Sequence, residues 1–294
     1  MTFTDSSEDI IGWRYYNGAA LPTCQPHEKA DISAVKDGFV WKLSGRRPLF
    51  ARWTSDFDCV TETGWYWCIK DTLYDIDTLN SSKRYEIRKG RKNFRVELIE
   101  PKKYAAELAF ISRMAFECYP SLYKPKFNER DFINSILYGA WDNKLVFMAF
   151  EKITDKPSAY TVVILKGKTI NLSQQKAIPY EEKRNVNFAL LDYVNSYFND
   201  YLIKGYYLVD GERNIVHQTN FQDFLCKYFG YRKANCRLNM AYPSYIKLLI
   251  NFLWLFRSKF VKYKAKNSLI YKIYCVLKME EIARNNNKNE HTVS

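Results

Sequence analysis

The 294-residue sequence predicts an α/β (α+β) fold. Its mixed, mostly antiparallel sheet is flanked by helices, follows a strand-rich amino-terminal part and precedes a basic helical extension. Three observations predict it. From residue 93 to 240, segments of helical and strand periodicity alternate in the order β-α-α-β-β-β-α-β-α-β. Three of those strands are consecutive and separated by short turns, which join antiparallel neighbours. The residues are 47% hydrophobic and 17% aromatic, ample at this length for one large domain or two small ones. The expected organisation is a strand-rich part packed on the core (1–82), the core itself (83–243) and a basic amphipathic extension (244–294), whose polar tail NNNKNEHTVS is expected to be disordered.

In chain order, residues 38–69 carry Trp, Phe, Tyr and Val between the turn signals SGRRP, SDFD and ETG, which reads as small strands. FRVELIE is the first core strand. A helix follows with Tyr104, Leu108, Ile111, Ala115 and Cys118 on one face, then a second helix from about 128 to 137. LVFMAFEKI, AYTVVIL after the turn DKPS, and KTINLSQ after the two-residue Lys166-Gly167 turn are the three consecutive strands. A helix then places Val186, Ala189, Leu190, Tyr193, Val194, Tyr197 and Tyr201 on one stripe. Such a stripe is buried only against an extended surface, so it is expected on a sheet of the strands near Leu145, Val162, Ile170, Leu208 and Leu238. The strand GYYLVDG, a short helix with Asn220 as N-cap and Gly230 past its end, and a strand around CRLNMAY close the core.

Charge and cysteines narrow the function classes. The net charge of +13 is concentrated in two stretches: residues 83–103 hold nine Lys and Arg against Glu86, Glu97 and Glu100, and residues 244–288 hold ten against Glu280 and Glu281. An acidic partner is expected to meet one or both. The seven cysteines are scattered and never spaced C-x-x-C, so neither a disulfide framework nor a metal site is expected. The amino terminus, MTFTDSSEDIIGW, has no basic region ahead of an apolar one, so no signal peptide is expected and the protein is assigned to the cytoplasm. No G-x-S-x-G motif supports a Ser-His-Asp site, and Gly90-Arg91-Lys92 is a basic run without P-loop spacing.

The cluster Asp210, Glu212, Arg213, His217 and Asn220 directly follows a strand, where side chains held by a rigid sheet carry sites. Asp210 or His217 suits a general base, with a loop histidine or a turn aspartate before Gly211 as the alternatives, and Arg213 suits a phosphate or carboxylate. Lys183 and Arg184, with free N–H groups near Asn185 to Asn187, suit a phosphate at a helix start, or are simply solvated.

The element order, the segment TLNSSKRYEIRKGRKNFRVELIEP and the segment DGERNIVHQTNFQDFLCKYFGYRKANCRLNMAYP together resemble the GNAT acyltransferase superfamily in its Fem-like (FemAB-type) branch. That resemblance implies acyl transfer by direct attack of an amine or hydroxyl on a thioester or ester, in bacterial polysaccharide or cell-envelope biosynthesis. The implied acceptor is a sugar or lipid-linked glycan, and the implied donor is acyl-CoA or, alternatively, aminoacyl-tRNA, the one case that brings in nucleic acid. Asp210, His217 and Arg213 of the post-strand cluster are then the candidate catalytic residues, and Lys183, Arg184, Asn185 and Asn187, in the stretch equivalent to the family's donor loop, the candidate donor-binding ones. AIPYEEKRNVNFALL departs from the family's Q-x-x-G-x-G/A loop by having no glycine, as Fem-like members that use aminoacyl-tRNA also do. The rival classes are a nucleic-acid-binding module and a non-catalytic membrane-surface protein. In the extension, IKLLINFLWLF is too short to span a bilayer. Leu269, Ile270, Ile273, Tyr274, Val276 and Leu277 with nearby lysines have the pattern of a helix on an anionic membrane surface, peripheral on the inner face. The alternative is a helical layer covering the domain, with Ile246, Leu249, Leu253 and Phe256 against the sheet.

Overall fold

The computed structural model describes residues 12–121, 124–215, 220–264 and 267–290. The chain begins with β1 (Trp13–Tyr16), β2 (Ala19–Pro22), the one-turn α1 (Ser33–Lys36), β3 (Phe50–Ser55) and β4 (Tyr66–Lys70). Part of the expected strand region is instead a 3-10 helix, Phe39–Gly45. Gly38 starts it at φ 80°, and Val40 and Leu43, three apart, eclipse one another and are buried.

Next come α2 (Ser81–Asn93), β5 (Phe94–Ile99), α3 (Ala105–Glu117), α4 (Glu129–Leu137), β6 (Leu145–Glu151), β7 (Pro157–Lys166) and β8 (Thr169–Ala177). α5 (Pro179–Glu182), α6 (Val186–Tyr197), α7 (Asn199–Ile203), β9 (Tyr207–Glu212), α8 (Phe221–Phe229), β10 (Arg232–Asn235) and β11 (Arg237–Ala241) follow. Three helices complete the chain: α9 (Ser244–Trp254), α10 (Arg257–Tyr263) and α11 (Ser268–Glu290).

The described residues divide into two compact units, one drawn from 68–211 and 220–232 and the other from 12–67, 212–215 and 233–290. The larger sheet has the order β10-β4-β9-β8-β7-β6-β5, and its strands β5 to β8 lie wholly in the first unit. β5 to β8 pair antiparallel, β6 to β8 as the turn signals predict, and the tight β7–β8 loop is Gly167-Lys168, one residue later than expected, with Gly167 at φ 52°. One face buries Phe147, Val163, Ile170 and Leu208 under α6 and α8, while the other buries Val146, Met148, Tyr160 and Val162 under α3 and α4.

α6 buries Val186, Ala189, Leu190 and Val194 of its expected stripe but leaves Tyr193 and Tyr197 exposed. It ends at Tyr197, and Tyr201 lies on α7. α2 crosses α6 at Gly90, where an added Cβ would stand 2.7 Å from Asn185 O and 2.9 Å from Ala189 N; glycine is required by this approach. The same two helices are tied by Arg91, whose Nε and Nη2 donate to Asp192 at 2.6 and 2.8 Å, and Tyr74 Oη donates to Asp192 Oδ1 at 2.9 Å.

The second unit holds a sheet of order β1-β2-β3-β11. Leu238 therefore departs from expectation: its strand, β11, pairs antiparallel with β3, while the preceding β10 belongs to the larger sheet. The reason lies in the burial of Cys236 and Leu238 with Trp65, Cys275, Met279 and Ile282. That cluster also corrects the reading of the last helix. α11 buries Cys275, Leu277, Met279, Ile282 and Ala283, so it is the covering layer and its apolar face is not free for lipid. Leu249 and Phe256, expected to pack inward in that alternative, are exposed on α9 and at its end.

Candidate active site

β8 and β9 are parallel and pair only through Thr169 with Tyr207, Ile170 with Leu208 and Asn171 with Val209. β8 then continues to Ala177. Its register against β7 shifts between Val162 and Val163, leaving Ser173 as the extra residue of a bulge at the point where β9 parts from it. Bulges of this kind interrupt pairing and re-aim side chains.

Asp210 is the first residue of β9 beyond the paired stretch. Strand alternation puts it on the Leu208 side, facing α6 and α8. Burial pushes its carboxyl up to about 7; a hydrogen bond with Gln222 offsets this and the Cys226 thiol, one turn along α8, adds to it. Among the described residues, no cation contributes to that shift. Beside it, burial and then the Asp210 charge hold the Tyr231 hydroxyl well above the ordinary phenol value. Tyr231 Oη and the neighbouring Asn195 Oδ1 are both buried without a well-formed hydrogen bond. A carboxyl poised near neutrality beside two poorly satisfied polar atoms suits proton transfer.

The sequence-predicted residues are dispersed around this point. Arg213, in the second unit, donates from its backbone N–H to Tyr66 O at 2.8 Å and from its guanidinium to Gly64 O, fixing the turn before β4. His217 lies outside the described residues. Arg184 spans Glu151 at 2.8 Å and Glu181 at 2.9 Å, and with Thr154 it holds the Glu151 carboxyl down to about 2. Asn185 opens α6 at φ 70°, and its amide donates to Glu86 O at 3.0 Å and to Glu86 Oε2. Asn187 accepts from Gln175 Nε2 at 3.0 Å, and Lys183 is exposed. A cleft of about 710 Å³ is lined by Arg184, Glu181, Glu151, Ile178, Ser158 and Phe110 among others, but by neither Asp210 nor Arg213.

Sequence reasoning missed Gln222, Cys226, Tyr231 and Asn195, which converge on Asp210 only through the fold. It also missed Gln175, whose Oε1 is buried without a partner on the diverging part of β8. That acceptor fits a ligand N–H or hydroxyl. Among the described residues, no three His, Cys, Asp or Glu side chains are grouped to hold a metal ion.

Neither a protein-family model nor a curated protein matches the sequence. Solved structures do match. The chain is similar to FemX at 8% identity, over 82% of this chain and 85% of that one, with a TM-score of 0.50. It is equally similar, at 12% identity and a TM-score of 0.50 over 81% and 82% of the two chains, to the C-terminal domain of an Agrobacterium fabrum protein described as a lysylphosphatidylglycerol synthetase. At such identities the likeness is one of fold.

Proposed function

We propose that this chain, which has the Fem-like form of the GNAT fold, is an acyltransferase. It moves an acyl or aminoacyl group from a thioester or ester donor to an amino or hydroxyl group of a sugar or other cell-envelope precursor. The observation that carries the reading is Asp210, an acid pushed to about 7 at the point where the parallel strands part. Its carboxylate takes the proton of the acceptor ammonium or hydroxyl. The freed lone pair attacks the donor carbonyl carbon, the C–N or C–O bond forms as the C–S or C–O bond to the leaving group breaks, and the proton returns to that group. A base with a pKa near the working pH is the efficient choice for both transfers.

The donor is assigned to the parting of β8 and β9. Gln175 Oε1 offers it an acceptor, and Lys183 with the first N–H groups of α6 offer charge and donors for its phosphates. Arg184 and Asn185 already spend their side chains on Glu151, Glu181 and Glu86, so their part is to set the start of α6. A tRNA-borne aminoacyl ester is the second reading, favoured by the glycine-free segment before α6 and by exposed Arg88, Lys89 and Lys92 on α2. Calorimetric titration with acetyl-CoA tests the first donor: saturable binding supports it, and none, with binding of aminoacyl-tRNA instead, moves the assignment to the second. Mass spectrometry of the surface glycan with and without the protein identifies the acceptor. His217 is the rival base. His217→Ala is expected to leave turnover within a few-fold, and a loss of about 10²–10⁴ would transfer the role to it.

A further inference from the structure

α9 presents its apolar residues outward. Tyr245, Leu248, Leu249, Phe252, Leu255 and Phe256 follow helical spacing i, i+3, i+4, i+7, i+10, i+11 and form one stripe. All are exposed, Leu248 by 73%, Phe252 by 58% and Leu255 by 71%. The opposite side of the helix is the one held to the unit: Ile250 is buried, Arg284 donates to Asn251 at 2.9 Å, and its guanidinium lies 4.4 Å from the Trp254 ring. The stripe therefore has solvent where an inward-facing stripe would have a core.

The charge around it says what covers it. No Asp or Glu occurs from residue 244 to 279, while Lys247, Arg257, Lys259, Lys262 and Lys264 all lie on α9, α10 or the residue after it. Among the described residues none of these five makes an ion pair. Lys259 lies 5.4 Å from the ring of Phe256, a member of the stripe, so a charged head flanks the apolar stripe directly. A second copy docked through the same face would bring these cations against their own symmetry mates. No helix among the described residues is long and apolar enough to cross a membrane.

We infer that α9 and α10 form a peripheral docking face for an anionic lipid surface. The Leu248, Phe252 and Leu255 side chains enter the acyl boundary, and Lys259, Lys262 and their neighbours lie among the anionic headgroups. Within the 244–294 extension this assignment places the lipid-facing role on α9 and α10 and not on α11, and it is independent of the acyl-transfer chemistry.

Co-sedimentation of the full chain with vesicles of equimolar phosphatidylglycerol and phosphatidylcholine tests it, with pure phosphatidylcholine vesicles as the comparison. The chain is expected to bind the anionic vesicles, to release as salt rises and to bind the neutral ones far less. Leu248→Gln with Phe252→Gln is expected to lower partitioning by about tenfold or more with no fall in melting temperature, because both side chains are exposed. Lys259→Glu with Lys262→Glu is expected to abolish the preference for anionic vesicles. Wild-type partitioning by the Leu248/Phe252 variant would overturn the inference, as would equal, salt-insensitive binding to both vesicle types. A dimer in solution that the same variant dissociates would also overturn it, assigning the stripe to a second copy.

Discussion

Asp192 and Asp210 are two acids facing the same side of the first unit's sheet, and their surroundings differ in kind. Asp192 sits in the joint of α2 and α6, where Arg91 and Tyr74 give it three hydrogen bonds and a compensating charge. Asp210 sits past the last residue of β9 that pairs with β8, beside an amide, a thiol and a phenol, and its carboxyl rises to about 7. A buried carboxylate with a matched cation holds helices together. One without a cation costs stability as a charge and is retained where its proton is used.

The comparison breaks most sharply in activity. Asp210→Asn is expected to lower turnover about 10²–10⁴-fold while leaving the melting temperature equal or higher, since it removes a carboxylate that the pocket disfavours. Asp192→Ala is expected to do the reverse. It leaves buried Tyr74 Oη without its acceptor and Arg91 without its anion, at a cost of about 2–3 kcal/mol. Calorimetry and a turnover assay on both variants check the pair. If Asp192→Ala leaves stability unchanged, the joint is not held as described. Gly90→Ala, at the same joint, is expected to cost about 1–3 kcal/mol by forcing α2 off Asn185 O and Ala189 N.

The pH dependence of stability separates the two kinds of acid more finely. Asp210, with its folded value above the unfolded one, contributes stability that is full below about pH 4 and is lost as pH rises toward 7. Glu151, held down to about 2 by Arg184 and Thr154, contributes stability present above about pH 4.5 and lost as pH falls toward 2. Asp210→Asn should flatten the first trend and leave the second. The smallest effect is expected at Lys262→Ala, within about 0.5 kcal/mol of wild type in melting, because that lysine is exposed and makes no ion pair, only a 5.6 Å approach to the Tyr263 ring.

Much of the first unit was legible because its signals are local. The Val186 to Val194 spacing, the turn at Gly167 and the cap positions Asn220 and Gly230 each specify an element within a few residues, and the structure keeps them. The position of Asp210 was legible for the same reason, as an acid near the end of a strand, although β9 runs on to Glu212. Its surroundings were not, since Gln222 and Tyr231 meet it only after the chain passes through α8. Leu238 was assigned to the wrong sheet because a strand's pattern shows which face is apolar but not which neighbour it pairs with. The outward face of α9 was hidden by the same limitation: eleven mostly apolar residues read alike whether they face a core or a membrane.

The central claim is that the Asp210 carboxylate accepts the acceptor's proton, and the pH profile of kcat/KM for wild type and Asp210→Asn tests it most directly. The account predicts a wild-type rate that rises with pH through an apparent pKa near 7, and a residual rate in the variant from which that rise is gone. The same ascending limb, at the same pH, in both proteins would contradict it.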